Sequence, residues 1–177
     1  NTIDTDTIAE IDSSVIDSFY DKTATGQSDT GRGDPKTTDQ MGQESTYANW
    51  DFSTVWQLDD RSGYPGLIAF DHMPPAIKNA SVSNGTSDRI DLSFQEKIAA
   101  DADVLAHLSV SVDGSSVTVL EAAGFQIGDE TRTLTLMISG SVKAGQTVTV
   151  QYEAGDAKPI RDLAGNRMAD EAITADN

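Results

Sequence analysis

From residue 76 onward the chain alternates between apolar and polar positions. "RIDLSF" sets Ile90, Leu92 and Phe94 at every second place, and "LSVSVDG" does the same with Leu108, Val110 and Val112. "TLTLMI" follows with Leu134, Leu136 and Ile138, and "TVTVQY" with Val148, Val150 and Tyr152. Such a period of two, with Ser, Thr, Asp and Gln between the apolar residues, marks strands buried on one face. The turn signals "NGTSD", "VDGSS", "AGFQIGDE", "SGSVKAGQ" and "EAGDAKP" separate them. Further strands are expected around 77–82, 117–120 and 172–174. The total is about seven, at the spacing of a β-sandwich. Only "EKIAADADVLAHL" reads as helical, for one or two turns.

The pattern before residue 75 is different. "SSVIDSFYD" alternates like a strand, with Val15, Asp17 and Phe19 on one side and Ile16, Ser18 and Tyr20 on the other. "TTDQMGQESTY" predicts a short helix capped by Thr37 or Thr38, and "WDFSTVWQL" is dense in aromatic and apolar residues. In the seam "IAFDHMPPAIKNA", Pro74 and Pro75 deny backbone donors and hold the chain extended. The expected division is therefore 1–74 and 75–177. A first part of roughly 70 residues is too small to close a large β-structure by itself, which suits the end of a repeat array that has lost its neighbours.

Composition narrows the partners. The chain has 177 residues, no Cys, and 29 acidic against 12 basic residues, for a net charge of −17. The deficit is spread, with 14 acids and 4 bases up to Pro75 and 15 and 8 beyond it. Nucleic acid and anionic membranes reward positive charge, so neither is an expected partner, whereas metal cations are. Without Cys there is no disulfide framework, zinc knuckle or thiol chemistry. No apolar run approaches the roughly 20 residues that span a bilayer, so no membrane insertion of this segment is expected. There is no charged-then-apolar leader. The start at Asn1 suits a fragment or processed product, and the Thr-, Ser-, Asp- and Gly-rich acidic composition suits a secreted or cell-surface bacterial protein.

Two stretches carry resemblances. "PPAIKNASVSNGTSDRIDLSF", "LSVSVDGSSVTV", "VKAGQTVTVQYEAG" and the closing "IRDLAGNRMADEAIT" resemble the SwmB-type immunoglobulin-like repeats of large bacterial surface proteins, over nearly all of 76–177. The turn "DLAGN", Asp162 to Asn166, is the most specific element. The resemblance implies a β-sandwich spacer or adhesive module without catalysis. "VIDSFYDKTATGQS", "KTTDQM", "WDF", "VW" and "YPGL", between Val15 and Leu67, look like the segment that ends GLUG-type β-solenoid regions. The expected fold is thus mainly β: an irregular solenoid end, then an immunoglobulin-like sandwich.

Candidate chemistry is sparse. Arg32-Gly33-Asp34 is the tripeptide by which some extracellular proteins engage integrins, using a guanidinium that forks onto a carboxylate and an Asp that completes a receptor-held cation shell. The GLUG resemblance gives Arg32 and Asp34 no role, and a solvated turn is the other reading. Trp50, Trp56, Tyr47 and Tyr64 are candidates for stacking on sugar rings, or, for the Trp residues, for capping the solenoid. Asp4 and Asp6, Asp59 and Asp60, Asp71, and Asp101 and Asp103 are hard oxygen ligands suited to Ca²⁺. Asp59, Asp60 and Asp71 lie near the seam, where Ca²⁺ would neutralise acids and stiffen a linker; none follows an EF-hand or glycine-aspartate nonapeptide spacing, and surface solvation is the alternative. Asp162 and Asn166 are expected to satisfy donors of their own turn. His72 and His107 lack a flanking ligand pattern, and there is no "GxSxG", "HExxH" or phosphate-cradling loop. The expectation is a non-catalytic adhesion or spacer module whose partners are other repeats of the parent chain, extracellular glycans, or host or neighbour surface proteins. A carbohydrate-binding module built on Trp50 and Trp56 is the alternative.

Overall fold

The computed structural model describes residues 16–27, 33–83, 87–101, 103–123, 131–157 and 159–177. The Asp4 and Asp6 pair, Val15 and Arg32 lie outside them. Two compact units divide between Trp50 and Asp51. Residues 51–74, grouped above with the first part, therefore belong to the same unit as the sandwich.

The first unit is built from short pieces. β1 (Phe19–Asp21) pairs in parallel with β2 (Asp34–Lys36), Phe19 opposite Asp34. The two approach closely at Gly33, with φ of 92°, where an added Cβ would lie 2.8 Å from the Ser18 carbonyl oxygen. Only glycine fits there. Between the strands, α1 (Lys22–Thr25) is capped by the Asp21 carboxylate, which accepts from the backbone N–H groups of Thr23 and Ala24 at 2.8 Å each. After β2, α2 (Thr38–Met41) begins with a capping box: Thr37 Oγ1 accepts from Gln40 N–H, and Gln40 Oε1 accepts from Thr37 N–H. Thr37 is thus the cap of the helix expected at "TTDQM". The strand expected at "SSVIDSFYD" is confined to its last three residues; Ile16 is exposed.

The second unit opens with β3 (Trp56–Asp59) and β4 (Tyr64–Leu67), an antiparallel pair. A β-sandwich follows. One sheet has the order β12 (Ile160–Asp162), β6 (Arg89–Ala100), β10 (Thr131–Ile138), β9 (Val119–Ala123), with β5 (Ile77–Val82) also on β6. The other runs β13 (Glu171–Ala175), β11 (Val148–Tyr152), β7 (Leu108–Val112), β8 (Ser115–Val117). The alternating residues of both sheets form one core: Ile90, Leu92, Leu134, Leu136, Val148, Val150 and Tyr152 are wholly excluded from solvent. Among the described residues no helix is long and apolar enough to cross a membrane.

One expectation is corrected. Among its described residues the stretch "EKIAADADVLAHL" continues β6 to Ala100 in its first half and is helical over a single 3-10 turn, Val104–His107. The strand wins because Ile98 and Ala100 are buried, and β12 pairs Ile160 with Ala100 and Asp162 with Ile98. Between its halves β6 is irregular. Its pairing with β10 jumps from Ser93 opposite Thr133 to Ile98 opposite Thr131, a bulge that leaves the intervening residues off that ladder.

Candidate functional site

The bulge of β6 is filled by the segment that precedes the sandwich. The Gln95 carbonyl oxygen accepts from Asp60 N–H at 3.0 Å and from Arg132 Nη1 at 3.1 Å, and Gln95 N–H donates to the Ala76 carbonyl at 3.1 Å. Arg132 Nη2 also donates to the Leu58 carbonyl. These bonds hold β3 and its turn against the sheet.

Beside that junction, acids converge. Burial along β6 alternates through Ile90, Leu92, Phe94, Glu96, Ile98 and Ala100, so Glu96 takes a place in the buried series and is fully excluded from solvent. Carboxylate oxygens of Glu96, Asp71 and Asp162 lie within 4.8 Å of one another. Asp71 follows the 3-10 turn Ile68–Phe70 and is half-buried; Asp162 ends β12 and is buried.

Arg61, in the β3–β4 turn, places Nη2 2.6 Å from Glu96 Oε1 and Nε 2.7 Å from Asp59 Oδ2. Gln57, on β3, extends its amide into the cluster. Its Nε2 donates to Asp71 Oδ2 and, at 3.5 Å, to Glu96 Oε2, while its buried Oε1 has no hydrogen-bond partner. The "DLAGN" turn closes the other side. Asp162 Oδ1 accepts from Asn166 N–H, and Asp162 Oδ2 from Asn166 Nδ2, both at 2.8 Å. Asn166 Nδ2 also reaches the Asp71 carbonyl at 3.1 Å. The turn thus satisfies itself, as expected, and also holds the chain just before the two prolines.

Electrostatics follow from burial. Desolvation pushes the Glu96 carboxyl up to about 8, against the pull of Arg61 and with further push from Asp71. Desolvation likewise raises Asp162, opposed by its bonds to Asn166 and reinforced by Asp71. Arg61 is held more firmly protonated, chiefly by its hydrogen bond to Asp59.

The expected site residues are distributed as follows. Asp59 pairs with Arg61, and Asp60 with Lys78 and Arg132, whereas Asp71 faces Glu96 and Asp162. Trp50 is half-buried, with its ring centroid 4.9 Å from that of Tyr47 and 6.0 Å from that of Phe19, and its Nε1 donates to the Asp17 carbonyl. Trp56, half-buried, and Tyr64, partly exposed, belong to the other unit. Asp34 is exposed at the start of β2, with Lys36 Nζ 3.9 Å away. His107 Nδ1 lies 2.6 Å from the Glu153 carbonyl oxygen.

Sequence reasoning missed Glu96, Gln57 and Arg61. A signal for the first was present. Carried past Phe94, the alternation of β6 puts an acid in the apolar series.

Residues 70–157 match the model of a repeat family, the SWM repeat, described as a "Putative flagellar system-associated repeat". The chain is 31% identical over 112 residues to a "Putative Gly-rich membrane protein" of Evansella cellulosilytica, an alignment covering 62% of this chain and 13% of that protein. Among solved structures, two of the S-layer protein SbsC align with TM-scores of 0.46 at 16% identity, covering 59% of this chain and 14% of theirs. One of its N-terminal part aligns with a TM-score of 0.44 at 14% identity, covering 58% and 23%. The chain thus spans a small fraction of each of these proteins.

Proposed function

We propose that the chain is a non-catalytic spacer and adhesion module of a large bacterial extracellular protein. The observation that carries this reading is the match of 70–157 to a repeat family, on a sandwich whose core is built from regular alternation. Repeated domains of this kind extend a chain away from its anchor, and their neighbours in the chain are their first partners. The relative named a Gly-rich membrane protein supports a cell-surface or secreted location.

The first unit is the end of a GLUG-type β-solenoid in this reading. Its support is the parallel, glycine-pinned pairing of β1 and β2, the way successive coils of a solenoid stack. The same close approach accounts for Gly33 by geometry, so the Arg32-Gly33-Asp34 tripeptide needs no receptor to explain its glycine. Trp50 packs edge-on and tilted against Phe19 and Tyr47, which supports a filling role over a flat sugar-stacking platform.

The test is surface labelling of the source bacterium with antibody raised against this chain. Labelling of intact cells that external protease removes is expected. Labelling only after permeabilisation would overturn the reading.

A further inference from the structure

We propose that Asp71, Glu96 and Asp162, with the amide oxygen of Gln57 as a fourth ligand, form a site for one Ca²⁺ ion that ties the segment 57–74 to the edge of the sandwich. Four observations lead there. The first is spacing. Ca²⁺ binds oxygens at about 2.3–2.6 Å, so oxygens on opposite sides of one ion stand up to about 5 Å apart, and three carboxylates that each offer an oxygen within 4.8 Å of the others close on one ion with a small inward adjustment.

The second is unused capacity. Glu96 Oε1 is taken by Arg61, while Oε2 has a long contact to Gln57 and the carboxyl shares a hydrogen bond with that of Asp71. Asp71 Oδ1 accepts from Met73 N–H at 2.9 Å, and its Oδ2 accepts from the Gln57 amide. Asp162 Oδ2 accepts one bond, from Asn166. A carboxylate oxygen has two lone pairs, so with the proton between Glu96 and Asp71 displaced by the cation each residue has one to offer a metal.

The third is Gln57 itself. Its side chain is 96% buried and directed at the acids, yet its Oε1 lacks a partner. Half a turn of the terminal amide exchanges oxygen and nitrogen and presents that oxygen to an ion between Asp71 and Glu96, with Nε2 moving to the place the oxygen leaves. In the turned state the ion replaces the amide N–H groups as the positive partner of both carboxylates.

The fourth is charge. Four acids, Asp59, Asp71, Glu96 and Asp162, gather around one guanidinium among the described residues, that of Arg61, which already serves Asp59 and Glu96. Buried charge is tolerated when paired or when it coordinates a metal. Asp71 is half-buried, which leaves a side from which water completes the six to eight ligands of Ca²⁺.

The ligands come from both sides of the seam: Gln57 and Asp71 precede Pro74, and Glu96 and Asp162 belong to the sandwich. Binding would therefore stiffen the approach to the domain. This goes beyond the surface-module reading and does not depend on it, since a failure of cation binding leaves surface labelling untouched.

The experiment is calorimetric titration of the chelator-stripped full chain with CaCl₂ at about pH 8, where the Glu96 carboxyl gives up its proton. One saturable equivalent is expected, with a Kd at or below about 10⁻³ M, the weak end of extracellular Ca²⁺ modules. Glu96→Gln and Asp71→Asn should each weaken it at least about tenfold, while Asp103→Asn, at an exposed acid, leaves it unchanged. Asp71→Asn, at the half-buried rim, remains readable if the buried Glu96 variant does not fold. MgCl₂ should bind at least tenfold more weakly, because Mg²⁺ requires oxygens at about 2.0–2.1 Å. Absence of a saturable equivalent, an affinity unchanged from wild type in both acid variants, or Mg²⁺ binding less than tenfold weaker than Ca²⁺ would overturn the assignment.

Discussion

The two halves of β6 are one continuous strand in two different environments. Its first half, from Ile90 to Phe94, lies between β5 and β10 and faces aliphatic neighbours from both sheets. Its second half opens with Glu96, which occupies the same alternating series and is just as buried, but among Gln57, Arg61, Asp71 and Asp162. Burial in the first half is favourable by itself, since apolar area leaves water. In the second half it is costly unless every polar atom finds a partner. A pattern of two predicts which positions are inside, and the residue at each position decides whether being inside stabilises the fold or demands compensation.

Truncation in the apolar half is expected to have the largest effect. Leu136 on β10 stands opposite Ile90 and is wholly buried. Leu136→Ala should lower unfolding free energy by about 2–5 kcal/mol, read from urea denaturation. A loss below about 1 kcal/mol would contradict the shared core of the two sheets.

Breaking the polar half from its far side should cost less. Asn166→Ala removes the side-chain bonds that Asn166 Nδ2 makes to Asp162 and to the carbonyls of Asp71 and Met73. The expected cost is about 1–3 kcal/mol, that of leaving buried acceptors unpaired. Limited proteolysis should then cut the stretch around Met73 faster. Unchanged cleavage there would mean that the "DLAGN" turn does not hold the seam.

The smallest effect is expected in the first unit, which rests on local caps. Thr37→Ala abolishes the capping box of α2 and should cost about 1 kcal/mol. In a melt of the whole chain followed by far-UV circular dichroism the transition of the first unit should move to lower temperature, and the sandwich transition should stay in place.

Much of the sandwich was legible in the sequence because its strands obey one rule for five or more residues. The four patterned runs fall within β6, β7, β10 and β11, and the weaker ones at 77–82, 117–120 and 172–174 fall on β5, on the β8–β9 stretch and within β13. β12 was not legible. Three residues carry no period, and Ile160 to Asp162 form a strand only because the end of β6 offers them a partner. That same end was misread as helical because Glu, Lys and Ala in "EKIAA" favour helices, while tertiary pairing overrides so weak a preference.

The acid cluster was half legible. Asp71 and Asp162 could be singled out by type and by turn signature, yet nothing local joins them to each other or to Glu96. Their meeting depends on the bulge of β6 and on the docking of β3 into it, which are long-range events. Asp59 and Asp60, neighbours of Asp71 in the expected set, point instead to basic side chains that a linear reading could not assign to them.

The central claim is that Glu96 is a buried acid held without a full complement of positive charge, and pH tests it directly. Its folded-state pKa is raised from 4.5 to about 8, so the folded chain binds a proton that the unfolded chain has released throughout that window. Unfolding is therefore disfavoured at the acidic end of the window, and stability must fall as pH rises through it. Asp162, also raised, acts in the same sense above 3.8. The measurement is urea denaturation of wild type and Glu96→Gln, both with chelator, at about pH 5 and about pH 8. Wild type should lose stability between the two, and the glutamine variant, with nothing to titrate at that position, should lose distinctly less. Equal pH dependence in both proteins, or a wild type that gains stability toward pH 8, would contradict the account.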